Sequence, residues 1–102
     1  MTLTEPQKKY LRGLGHARKP VIVVGDAGLS DSLLAEYEST IDHHELIKVR
    51  VRVGDRDARD ALIDTLCEKS SAELVQRIGN VALLYRQNPK KKPEKRLRIP
   101  SR

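Results

Sequence analysis

The tetrapeptide Gly25-Asp26-Ala27-Gly28 lies between an apolar run, Val21–Val24, and a helical pattern that opens at Ser30. A Gly-x-x-Gly loop in that place lets the main chain come close to a ligand. It also opens onto a helix N-terminus, where free N–H groups and the helix dipole attract an anion. A nucleic-acid backbone is a natural guest. A tight strand-to-helix turn uses glycine for its own reasons, so the loop needs cations beside it to read as a site.

Other chemistries find less support. His16, His43 and His44 are the histidines of the chain. The adjacent pair points about 100° apart on a helix, and no second cluster has metal-ligand spacing, so no metal site is expected. At a helix C-terminus the pair suits the dipole. Cys67 sits beside an apolar stripe and reads as a structural thiol. The loop lacks the Gly-Lys-Ser/Thr of a phosphate-binding loop and the three glycines of a dinucleotide fingerprint. No catalytic residue, cofactor or small-molecule substrate is therefore expected.

The elements that must position the loop can be read along the chain. Thr4 with Gln7 forms a capping-box pattern and Pro6 sits in the first turn, which predicts a helix to about Leu14 with Tyr10, Leu11 and Leu14 on its apolar stripe. Pro20 stops any continuation, and Val21-Ile22-Val23-Val24 predicts a buried strand. Ser30 caps a second helix with Leu33, Leu34, Tyr37 and Ile41 inward and Asp31, Glu38 and Asp42 outward. From Leu46 to Val53 the period becomes two, with Ile47, Val49, Val51 and Val53 on one face and Lys48, Arg50 and Arg52 on the other. Gly54-Asp55 opens a third helix with a stripe of Ala58, Ala61, Leu62, Thr65 and Leu66. Glu73–Ile78, Gly79-Asn80 and Val81–Arg86 read as a hairpin. The order is αβαβαββ, an α/β chain of the two-layer α+β kind.

A strand–helix–strand unit is a right-handed crossover between parallel strands, and ligands gather at the strands' carboxyl ends. Gly25 lies at such an end. Parallel pairing brings Arg52, and Arg50 behind it, toward the glycine loop. Arg18 and Lys19 precede the first strand, about 17 Å away at the usual rise per residue, where they would meet a different nucleotide.

Charge sharpens this picture. The chain has 102 residues and a net charge of +6. Residues 87–102 hold Lys90, Lys91, Lys92, Lys95, Arg96, Arg98 and Arg102 against Glu94, and so carry all of that net charge. With Pro89, Pro93 and Pro100 among its cations, this stretch is predicted to be a mobile basic arm that gains polyanion affinity through counterion release. The neutral body, residues 1–86, is one domain. Its signs are segregated: 1–25 carry five basic groups against Glu5, and 26–47 carry six acidic groups with no Lys or Arg. One cysteine precludes an internal disulfide framework, and no apolar run reaches membrane-spanning length. A monomer in a reducing cytoplasm is the expectation.

The stretches Gly25-x-x-Gly28-Leu29-Ser30, His43-His44-Glu45-Leu46-Ile47-Lys48-Val49, Ile78-Gly79 and Leu83-Leu84-Tyr85-Arg86 resemble the bacterial YhbY family of CRM domains over roughly residues 2–86. The resemblance implies a four-stranded mixed sheet packed with helices, related to the C-terminal domain of translation initiation factor three and reminiscent of KH domains. It also implies binding of rRNA in precursors of the large ribosomal subunit, through the glycine loop and basic surfaces. The candidate RNA-binding residues are Gly25, Asp26, Ala27, Gly28, Lys19, Lys48, Arg50, Arg52, Lys90, Lys91 and Lys92. One departure is that Asp26 and Asp31 place negative charge where phosphate would sit, so either the loop acts through its N–H groups with Arg50 and Arg52 supplying charge, or RNA contacts the protein elsewhere. With no Phe or Trp and three Tyr there is no stacking platform. Two other readings stay open: an adaptor that docks basic ribosomal proteins on its acidic helix, and a nonspecific nucleic-acid binder acting through the tail.

Overall fold

A computed structural model describes residues 2–101. Its order is α1 (Glu5–Gly15), β1 (Pro20–Val24), α2 (Asp31–His44), β2 (Leu46–Val51), α3 (Arg56–Ser70), β3 (Glu73–Ile78) and β4 (Val81–Tyr85), followed by a short 3-10 turn at Pro93–Lys95. The sheet runs β1-β2-β4-β3, with β1 parallel to β2 and the other neighbours antiparallel. It is the four-stranded mixed sheet that the resemblance implies, with the elements in the order that the sequence predicts.

Local chemistry sets the boundaries. Thr4 and Gln7 close the capping box reciprocally at 3.3 and 2.9 Å. Ser30 accepts the Leu33 N–H at 3.2 Å and Asp55 accepts the Ala58 N–H at 2.8 Å, so α2 and α3 each start on a side-chain cap. Helix α1 runs one residue past Leu14 because Gly15 is buried against Leu83: a Cβ at Gly15 would lie 2.7 Å from Leu83 Cδ2.

The alternation of β2 divides the core between the two faces of the sheet. Ile47, Val49 and Val51 pack with Ile22, Val24, Ala82 and Leu84 beneath Tyr37 and Ile41 of α2 and Ile63 and Leu66 of α3. Each fully buried aliphatic side chain here contributes roughly 1.5–3 kcal/mol. On the opposite face Leu46, Val75, Leu83 and Tyr85 pack against Leu3 and Leu11, and α1 covers only that end of the sheet.

Several expectations are corrected in detail. Strand β2 ends at Val51 rather than Val53, although Arg52 N–H still bonds the Val24 carbonyl at 2.7 Å. Tyr10 is exposed. The buried line of α3 is Ile63, Leu66 and Ser70, whereas Ala61 and Thr65 face solvent, because the strongest apolar residue of that stretch, Ile63, sets the phase. The outward acids of α2 are not simply solvated: Arg86 bonds Glu38 at 2.8 Å, Asp42 at 2.7 Å and the Ser70 carbonyl at 3.0 Å, tying α2 and the end of α3 to the strand end.

Residues 87–101, predicted from their charge to be a mobile arm, lie along the body. Leu97 and Ile99 pack on the second core cluster, and Gln7 Nε2 donates to the Pro100 carbonyl at 2.8 Å. Glu45, buried at the end of α2, accepts the backbone N–H groups of Asn88 at 2.7 Å and Leu97 at 2.6 Å.

Candidate nucleic-acid interface

The glycine loop leaves β1 at Val24 and closes as a turn, with the Gly28 N–H bonded to the Gly25 carbonyl at 3.0 Å and the Ser30 N–H to the Gly28 carbonyl at 3.2 Å. Gly28 has φ +72, a conformation that an L side chain resists. At Gly25 φ is ordinary and an added Cβ would meet nothing within 4 Å, so the fold does not require glycine there. Asp26 and Ala27, at the tip, are exposed. The N–H groups of Asp26, Ala27 and Leu29 have no hydrogen-bond partner among the described residues, which leaves free donors in the turn that precedes the α2 cap at Ser30.

Register places the cations. Val23 pairs with Arg50 and Val24 with Val51, and the Arg52 N–H reaches the Val24 carbonyl, so Arg52 stands beside the loop with Arg50 one pleat behind. The Val51 N–H bonds the Asn80 carbonyl at 2.7 Å, which brings the hairpin turn to the same end. Lys48 and Arg50 share the half of the sheet face that α1 leaves open. There they border a shallow hollow with Pro20, Gln76, Ile78 and Val81. Val23 is 50% and Ile78 66% exposed, so among the described residues no element covers this half. Apolar patches between two cations suit the ribose and base edges of a strand whose phosphates meet the charges. Periodicity alone found Lys48, Arg50 and Arg52. It could not find Gln76, Ile78 and Val81, whose membership depends on the register of the distant hairpin.

The remaining candidates lie elsewhere. Lys19 stands at the opposite end of β1, where Pro20 pairs with Lys48, and is exposed. Beside it Arg18 Nη1 donates to the Leu46 carbonyl at 2.8 Å, and Arg18, Lys19 and His44 line a second hollow at this end. Lys91 reaches this end from the C-terminal segment, bonding the His43 carbonyl and standing 3.9 Å from Glu45. Lys90 and Lys92 are exposed on either side of it. Partial desolvation, followed by the charges of His43, Arg18 and Lys91, holds the His44 imidazole below its ordinary pKa. Among the described residues no three His, Cys, Asp or Glu side chains gather in a way that would hold a metal ion. Burial pushes the Cys67 thiol up to about 11.

Residues 3–86 match the family model described as the CRS1 / YhbY (CRM) domain. The chain is 50% identical over 97 residues to a Pseudomonas aeruginosa protein named "Probable RNA-binding protein PA4753", covering 95% of this chain and 91% of that one. It is 42% identical over 85 residues to a Haemophilus influenzae protein named "RNA-binding protein", covering 83% and 86% of the two chains. The solution structure of hypothetical protein SAV1595 from Staphylococcus aureus superimposes with a TM-score of 0.79 at 34% identity, over 97% of this chain and 100% of that one.

Proposed function

Because the chain belongs to the CRS1 / YhbY (CRM) domain family, we propose that it is a non-catalytic RNA-binding protein that engages rRNA in precursors of the large ribosomal subunit in the cytoplasm. The observation that carries this reading is the meeting of the glycine loop with Arg50 and Arg52 at one end of an open sheet face that continues to Lys48. The loop supplies close approach and N–H donors while the strand supplies positive charge. Asp26 is tolerable in this arrangement because the arginines come from a neighbouring strand, not from the loop itself. Recognition then rests on backbone and shape, with little base stacking, since Tyr37 and Tyr85 are buried.

The competing readings have less support. Two acids of the α2 face are held by Arg86, which lowers their value as a docking surface for a basic protein. The tail is docked on the body through Leu97 and Ile99, and Lys91 bonds the His43 carbonyl, so the tail would act together with the body and not as a free arm.

The test is binding of the wild type and an Arg50→Glu/Arg52→Glu variant to structured rRNA fragments, together with sedimentation of a lysate on a sucrose gradient. The expected results are RNA binding at least tenfold weaker in the variant and migration of the wild type with a large-subunit precursor. Equal affinities would remove the site, and migration at the top of the gradient at low and moderate salt would remove the ribosomal assignment.

A further inference from the structure

Three segments distant in sequence converge at the end of the sheet opposite the glycine loop: Arg18-Lys19 before β1, His43-His44 at the close of α2, and Lys91 from the C-terminal segment. We propose that this pole is a second contact for the RNA backbone, so that one RNA strand or helix lies across the open sheet face from the glycine loop to Lys19 and Lys91. The proposal rests on the RNA-binding reading above and adds where the far end of the ligand is held.

The case is one of excess positive charge. The acid at this pole is Glu45, which is buried and turned to the Asn88 and Leu97 N–H groups. Its bonds are what hold Lys91 beside His43. Lys19 is exposed, whereas Lys91 stands 3.9 Å from Glu45 and Arg18 is bonded to the Leu46 carbonyl, so the pole keeps an excess of positive charge, only part of it neutralised, that a polyanion meets by counterion release. The groups around His44 are His43 on its own helix, Arg18 and Lys19 before β1, Lys48 on β2 and Lys91 on the tail; its pKa is lowered first by desolvation and then by His43, Arg18 and Lys91. The poles are separated by the length of β1, about 17 Å, or roughly five nucleotide steps. Lys48 stands between them, paired with Pro20 on one side and bordering the hollow with Arg50 on the other.

The experiment compares the full chain with a Lys19→Ala/Lys91→Ala variant, using as probe an RNA hairpin whose stem of about ten base pairs exceeds the separation of the poles. The expected result is a salt slope lower by about one per lysine and affinity roughly tenfold weaker at ~0.1 M salt. The His44 titration, followed by NMR, is expected to move upward when the hairpin binds the wild type, because nearby phosphates favour the imidazolium and offset the part of the depression that comes from His43, Arg18 and Lys91. Lys19→Ala alone, at an exposed side chain, is expected to lower the slope by about one and covers the case in which the double variant is destabilised. Unchanged affinity and slope in these variants, with binding still weakened by Arg50→Glu/Arg52→Glu, would overturn the second contact and leave the proposed function standing. Failure of the wild type to bind RNA would overturn both. If the double variant loses binding to phosphatidylglycerol vesicles while its RNA binding is unchanged, the pole faces a membrane and the inference is overturned.

Discussion

Gly28 donates its backbone N–H to the carbonyl of Gly25 at 3.0 Å, yet the two glycines that close this turn are glycine for different reasons. Gly28 sits at φ +72 and serves the backbone, whereas Gly25 has ordinary dihedrals and open space where a side chain would be. Only the second can be exchanged without touching the turn.

Gly25→Asp is therefore expected to keep stability within about 0.5 kcal/mol while weakening RNA binding at least tenfold, by filling the approach path and adding charge. Gly28→Ala is expected to cost about 1–2 kcal/mol through the left-handed conformation alone. Thermal unfolding and RNA titration of both variants separate the roles. Unimpaired binding by the Gly25 variant would make the loop a turn and nothing more.

Glu45 holds the C-terminal segment through two backbone N–H groups. In Glu45→Gln one oxygen is replaced by an amide NH2 that faces an N–H donor, so the expected cost is about 1–3 kcal/mol and release of residues 87–101. Limited trypsin digestion checks this: cleavage within Lys90–Arg98 should accelerate while the body stays intact. Equal cleavage rates would show that Leu97 and Ile99 suffice to hold the segment.

How much of this was legible in the sequence depended on how local the determining interaction is. The caps at Thr4, Ser30 and Asp55, the alternation of Ile47 to Val51 and the turn at Gly79-Asn80 are written in short spacings, and the order of the elements follows from them, while the mixed pairing of the sheet was implied by the family resemblance. Ala58 and Ala61 misled the phase of α3 because alanine is at ease both inside and outside. Leu97 and Ile99 stand singly among cations, and their partners Leu3, Leu11, Leu46 and Tyr85 are far away in the chain, so no periodicity announces their docking. Glu45 left no signature either, since its partners are main-chain groups.

Two glycines near the end of α1 are expected to respond oppositely to alanine. Gly13 is exposed with nothing within 4 Å of an added Cβ, so Gly13→Ala should stabilise the protein by about 0.5–1 kcal/mol. Gly15→Ala pushes on the buried Leu83 and should cost about 1–2 kcal/mol after the helix-propensity gain. Denaturant midpoints of the two variants give the comparison; a stabilised Gly15→Ala would mean that α1 shifts freely on the sheet.

Tyr37 is fully buried, with its hydroxyl 2.9 Å from Ser70 Oγ, and burial raises its pKa to about 12. In the unfolded chain the phenol titrates near 10. Between these values the unfolded state holds fewer protons than the folded one, so stability falls as pH rises. The stability from this group is complete below pH 10 and is lost progressively toward pH 12, by about 2–3 kcal/mol. Tyr37→Phe should flatten that part of the profile in denaturant titrations at alkaline pH. An unchanged slope would assign the alkaline loss to other groups.

The sheet ends on β1 and β3, and each of these strands has an irregular register, between Pro20 and Ile22 in one and between Leu74 and Gln76 in the other. A rim broken in this way offers no straight row of main-chain donors and acceptors on which another copy could stack. The apolar side chains of Val23 and Ile78 can thus stay exposed on strands whose broken rims disfavour the edge-to-edge pairing that such exposure invites.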